Sequence, residues 1–258
     1  MKTKFLILML ALVASIGTCQ ASIQTGTCGK NLTWSFNNKT GVLTIEGKGD
    51  MDFGYYSSPW KYSKDITSVI LPDGLTSIAS SAFYGCENLT SITIPSSVKT
   101  IDRYAFAACK SLTSIVIPNS VKGIWTEAFM RCTGLTSVTL PNGLDCIANG
   151  VFRGCVRLRS ITIPNAVTKI EDWAFDGCSS LTSIVIPKNV TELCPTAFHK
   201  CNIISFTIYA TTPPVLKCEI NLGGLEQDKC TLYVPASAIE TYSNSYYWED
   251  FKAIKAIK

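Results

Sequence analysis

The sequence predicts a repeat solenoid, a mainly β chain wound into 23-residue coils and closed by a β-hairpin at one end and an α+β segment at the other. Three residue types carry this expectation. Phenylalanine recurs as Phe83, Phe106, Phe129, Phe152, Phe175 and Phe198, and cysteine as Cys86, Cys109, Cys132, Cys155, Cys178 and Cys201. Proline keeps the same interval of 23 residues from Pro72 to Pro187. A fixed period of this length marks coils that each stack on the next and cannot bury a core alone. Residues repeated so regularly are structural, so function is sought where the coils differ.

Residues 1–21 read as a secretory signal. Lys2 and Lys4 precede the apolar run from Phe5 to Ala14, and Cys19 and Ala21 put small residues at the cleavage-determining positions. A competing reading makes Cys19 the lipid-bearing first residue of a lipoprotein, although Thr18 is an unusual residue before such a cysteine. The expectation is a secreted or cell-surface protein. With the signal removed, 21 basic residues face 19 acidic ones. That balance gives no electrostatic case for nucleic acid. No later stretch approaches the ~20 apolar residues of a membrane span.

Residues 22–64 form the N-terminal β cap. Leu32, Trp34 and Phe36 alternate with polar residues, Asn37 to Gly41 supplies a turn, and Val42 to Ile45 resumes the strand pattern, which together make a hairpin. Residues 65–208 hold the coils. In Leu89-Thr90-Ser91-Ile92-Thr93-Ile94, alternation sends Leu89, Ile92 and Ile94 inward and the hydroxyls outward. Pro95 has no N–H for a ladder and opens a turn. Val98 and Ile101 mark a second extended piece on the opposite wall, and Ala105-Phe106 bury a ring in a tight turn or a single turn of helix. Residues 209–258 are the C-terminal cap, with helical potential over 236–251 and an apolar face of Ile239, Tyr242 and Tyr246.

The pattern L-x-x-L/I-x-I-P-x-x-V-x-x-I-x-x-x-A-F-x-x-C over residues 65–208 resembles the 23-residue, treponemal or BspA-like class of leucine-rich repeats. The flanking LTWSFNNKTGVLTIEGKGDM and LYVPASAIETYSNSYYWEDFKAI are similar to the flanks of BspA-like surface proteins. The resemblance implies a curved parallel-sheet solenoid of leucine-rich-repeat type on or outside a cell, in a family where some members are adhesins. Fold alone carries no ligand across.

The cysteines do not predict a metal site. No C-x₂-C pair occurs, and a ladder sets thiols in a row rather than around a tetrahedral centre. They read as reduced core residues. Cys218 and Cys230 lie outside the repeat and are a possible disulfide of the cap. No cofactor motif is present, and catalysis finds little footing. His199 is the single histidine, and its coil position is held elsewhere by Tyr84, Ala107, Met130, Arg153 and Asp176, as in a variable exposed slot. An enzyme, for instance a hydrolase, is therefore not expected.

The candidate contact residues are those that depart from the repeat. Arg159 replaces a recurring threonine, with Arg157 and Arg153 in the same coil and Arg131 one coil earlier. Such a guanidinium group suits carboxylates or sulfates. Its ordinary explanation is a solvated charge cluster. Tyr104, Trp125 and Trp173 occupy variable turn positions as aromatic anchors or as packing between coils. The expected function is an adhesin-like module contacting a protein or glycan through the repeat surface. The alternative is a structural surface protein with no specific ligand.

Overall fold

The computed structural model describes residues 22–54, 58–217 and 225–258. The signal segment and Cys218 lie outside them. The described chain is a parallel β-solenoid whose coils have two strand walls and a turn side. The first wall is built from Ser68–Ile70, Ser91–Ile92, Ser114–Val116, Ser137–Thr139, Ser183–Ile186 and Ser205–Ile208. The second is built from Gly74–Ile78, Thr100–Ile101, Gly123–Ile124, Cys146–Ile147, Lys169–Ile170, Glu192–Leu193 and Val215–Leu216. Equivalent residues pair directly, as in Ser137 with Ser114 and Ile170 with Leu193. The first-wall alternation is as expected: Leu112, Ile115 and Ile117 are buried, while Ser114 and Val116 are exposed.

The turn side holds the core in register. Phe83 to Phe198 stack face to face with ring centroids 5.3–5.7 Å apart and planes within 15°. Near-parallel rings at that spacing are offset, which their quadrupoles favour. Trp60 begins the stack one coil earlier, 6.1 Å from Phe83. Edge-on rings close both ends: Trp34 and Phe53 against Trp60, and Phe206 against Phe198.

The thiols do more than fill space. Each donates to a carbonyl in the preceding coil, Cys109 to Phe83, Cys132 to Phe106, Cys155 to Phe129, Cys178 to Phe152 and Cys201 to Phe175, at 3.1–3.2 Å. Cys86 reaches the Trp60 carbonyl at 3.5 Å. Burial pushes these thiols up, to about 12 for Cys86, Cys132 and Cys201.

Of the two expected forms, a tight turn or a single turn of helix, most coils adopt the tight turn. Phe83, Phe106, Phe129, Phe152 and Phe175 each donate an N–H to the next coil at 2.7–3.0 Å. Donors two residues to either side do likewise, as Tyr104 N–H to Thr126 and Ala108 N–H to Met130. The alternate residues bond locally, as Ala107 N–H to Tyr104. Turning the backbone this way requires left-handed residues, and two columns supply them. Ser81, Tyr104, Glu127, Gly150 and Trp173 form one; Tyr62, Gly85, Ala108, Arg131, Gly154, Gly177 and Lys200 form the other. Only the last coil replaces this arrangement with a 3₁₀ turn, Pro195–Phe198.

The caps are more strand-rich than the sequence suggests. The N-terminal cap has three antiparallel strands, Ile23–Gly29, Leu32–Asn37 and Val42–Asp50, the last also pairing in parallel with both walls. At the other end, Thr231–Val234 and Ala253–Ala256 extend the first wall past Ser205–Ile208. The expected helix over 236–251 shrinks to Ile239–Ser243, flanked by 3₁₀ turns. Ser243-Asn244-Ser245 favours turns over helix, and Tyr247 at φ 73° reverses the chain. Tyr242 is buried as expected, but Tyr246 is 76% exposed.

Candidate functional site

The structure divides the four arginines. Arg153 stands on the turn side and is committed there. Its Nε donates to Asp176 Oδ2 at 2.9 Å, its Nη1 lies 3.9 Å from Glu127 Oε1, and its guanidinium sits 5.3 Å from the Trp173 ring centroid. Gly150 leaves room for the Glu127 side chain, whose Cγ a methyl group there would meet at 2.7 Å. Asp176, largely buried, bonds on its other oxygen to His199 Nδ1 at 2.9 Å, and Trp173 meets the imidazole edge-on at 5.5 Å.

This network accounts for one departure from expectation and, for Trp173, for packing between coils as the alternative that holds. His199 is not in a freely exposed slot; its side chain is 28% exposed and tied to Asp176. Trp173 is partly buried by Arg153 and His199 rather than presented as an anchor. Tyr104 is partly buried against Tyr84, and its hydrogen bond to Glu127 raises its phenol above the usual range. Lys61 lies over the Tyr84 ring. The turn side thus carries a series of contacts between coils from Lys61 to His199, suited to holding them together. Arg131 occupies a left-handed position at φ 57° with its stem over Gly154 and remains exposed.

Arg159 stands at the start of the first wall in its coil, Arg157 lies in the turn that leads into it, and both are exposed. Among the described residues neither makes an ion pair. Their coil is also the one where the wall lapses: residues 157–163 form no strand, although the buried Leu158 and Ile163 keep their places. Elsewhere the recurring threonine spans adjacent coils, as Thr90 and Thr136 donate to the carbonyls of Thr67 and Thr113. Arginine at 159 removes such a hydroxyl. Trp125 is 50% exposed and lies on the second wall.

The possible Cys218–Cys230 bridge has one partner outside the described residues. Cys230 is buried, its sulfur 3.7 Å from the Thr231 carbonyl. Among the described residues no group of three or more His, Cys, Asp or Glu side chains is placed to hold a metal. Nor is any helix among them long and apolar enough to cross a membrane.

Left-handed residues in the turn, a phenylalanine spine and a thiol rung thus recur along a parallel solenoid of 23-residue coils. Residues 56–155 and 99–215 match the BspA-type leucine-rich repeat region in six copies, and the chain belongs to that family. It is similar to a leucine-rich cell-surface protein of Faecalibacterium prausnitzii, with 28% identity and a TM-score of 0.58, over 91% of this chain and 73% of that one. It is also similar to a leucine-rich-repeat protein of T. pallidum, with 27% identity and a TM-score of 0.54, over 70% and 84% of the two chains. A leucine-rich-repeat protein of Bacteroides ovatus, 20% identical with a TM-score of 0.52 over 88% and 76%, shares the fold. A search of curated proteins found no match.

Proposed function

We propose that this protein is an exported binding module, adhesin-like, that holds an acidic protein or glycan against the first wall at Arg157 and Arg159. One observation carries the reading: these two guanidinium groups are exposed and unpaired among the described residues, in the coil that forms no first-wall strand. Arginine's forked donors bind carboxylates and sulfates in pairs. A location at the cell surface is supported by the similarity to the F. prausnitzii cell-surface protein. A purely structural surface role is favoured by a different observation. Most first-wall hydroxyls outside that coil are small and several bond the adjacent coil's backbone, leaving little to grip a partner.

The test is to present the purified protein to immobilised matrix proteins, mucins and sulfated glycans, alongside the Arg157→Ser/Arg159→Thr double variant. Binding that weakens with salt and falls in the folded double variant supports the site. Equal binding by both chains removes it, and no binding by either favours the structural role.

A further inference from the structure

We propose that the second wall carries a separate carbohydrate-binding groove centred on Trp125, sized for a short oligosaccharide. The second wall's ladder stops between Gly123–Ile124 and Cys146–Ile147, and a groove of about 550 Å³ opens beside that break. Side-chain size accounts for it. The column of Trp125 continues as Ala148 and then Glu171, so a large wall, a small floor and an acidic wall follow one another over three coils. The phenylalanine rings of these coils step by 5.7 Å, so three coils span about 10 Å or slightly more, close to the length of two sugar rings.

The indole is laid flat. A methyl group at Gly123 would meet Trp125 Cε2 and Cζ2 at 3.3 Å and Nε1 at 3.4 Å, so three ring atoms lie equally close to one strand position. One face therefore packs on the strand while half of the residue stays exposed. An aromatic face is negative, and the C–H groups on one side of a pyranose are its natural complement. The rim then has to satisfy hydroxyls, which both donate and accept. Arg103 and Lys122 supply donors there, and Asp145 and Glu171 supply acceptors. Glu171 is held in place by the Asn149 N–H, which donates to its Oε2 at 2.9 Å.

A rim of both signs suits a polyhydroxyl ligand better than a simple anion or cation. An extended peptide would need a strand edge to pair with, and the strands beside the break are two residues long. The groove is independent of Arg157 and Arg159, which stand at the edge and start of the other wall.

The experiment titrates maltotriose, cellotriose, chitobiose and N-acetyllactosamine into the ¹⁵N-labelled protein. The Trp125 indole N–H signal is identified by its loss in Trp125→Phe. At least one sugar is expected to shift that signal with millimolar affinity. Followed through the backbone amides of Gly123 and Thr126, which line the groove, Trp125→Ala, and Ala148→Leu beside an intact indole, are each expected to weaken binding about tenfold or more. If Ala148→Leu fails to fold, Trp125→Ala alone decides, since its side chain is half exposed. No shift with any of the four sugars up to about 20 mM overturns the proposal. So does undiminished binding by folded Trp125→Ala, or a shift with a proline-rich peptide and with none of the sugars. The Arg157→Ser/Arg159→Thr variant is expected to titrate unchanged, so the two sites fail separately.

Discussion

On the turn side, each of four successive coils from Ser81 to Gly154 hands three backbone N–H groups to the next. The first wall's ladder, by contrast, runs in three separate pieces, and the second wall's in two. The phenylalanine spine and the thiol rungs also lie on the turn side. What conventionally counts as loop is here the continuous structural element, and the nominal sheets are the parts free to vary. This is consistent with where the unspent side chains lie. Arg159 and Trp125 are on the walls and Arg157 at the edge of one, whereas Arg153, Trp173 and Tyr104 are drawn into turn-side contacts; exposed Arg131 is the turn-side exception.

The largest expected effect follows from the thiols. Desolvation raises all six ladder thiols from an ordinary value of 9.0, to about 12 for Cys86, Cys132 and Cys201 and well above it for the others. The folded chain therefore keeps protons that the unfolded chain releases. Their contribution is fully present below pH 9 and is lost as pH rises from there. Six thiols titrating together give a slope of about 8 kcal/mol per pH unit. Denaturant melts under reducing conditions between pH 8 and 11 are expected to show a steep alkaline collapse. A flat profile would mean that the rungs are not desolvated.

Next in size, Phe129→Ala removes a ring from the middle of the spine and should cost about 3–5 kcal/mol. Because each coil is held mainly by its neighbours, the melt should also broaden or split. An unchanged melting curve would show that the spine does not couple the coils.

The coil and its spine were legible because Phe, Cys and Pro each fill a single chemical requirement in every copy. The left-handed columns were not. Glycine marks them at Gly85, Gly150, Gly154 and Gly177, but Tyr104, Glu127, Arg131 and Trp173 occupy the same conformation, so the periodic glycine was diluted by side chains recruited for contacts. Nor could the lapse in the first wall be read locally. Ser91-Ile92-Thr93-Ile94-Pro95 and Ser160-Ile161-Thr162-Ile163-Pro164 are identical, yet only the first contains a strand. The difference lies in what precedes and flanks them, including Arg159 in place of threonine. The site residues were found by departure from the repeat, but which wall each faced required the turn geometry.

A smaller effect sharpens the comparison by its sign. Ala108 adopts φ 59°, a conformation that costs an L-residue about 1 kcal/mol or more. Ala108→Gly should therefore stabilise by about 1 kcal/mol. The matching change on a wall, Ser114→Gly, should destabilise by about 0.5–1 kcal/mol, since glycine loses more freedom in a strand. Paired thermal melts check the two signs. Equal signs would remove the claim that the turn side is built on left-handed residues.

The smallest effect separates two arginines of one coil. Arg153→Ala leaves Asp176, whose side chain is only 10% exposed, hydrogen-bonded to His199, and uncovers Trp173. Arg153 is itself 44% exposed, so solvent screens much of the pair's attraction and the loss should be about 1 kcal/mol. Arg159→Thr gives up no ion pair among the described residues and restores the hydroxyl used in other coils, as between Thr136 and Thr113. Its effect should be neutral or a few tenths of a kcal/mol stabilising. Chemical melts of the two single variants decide between a turn side that spends its charges on cohesion and a wall that keeps them for contact. A larger loss at 159 than at 153 would reverse that assignment and return Arg153 to the candidate surface.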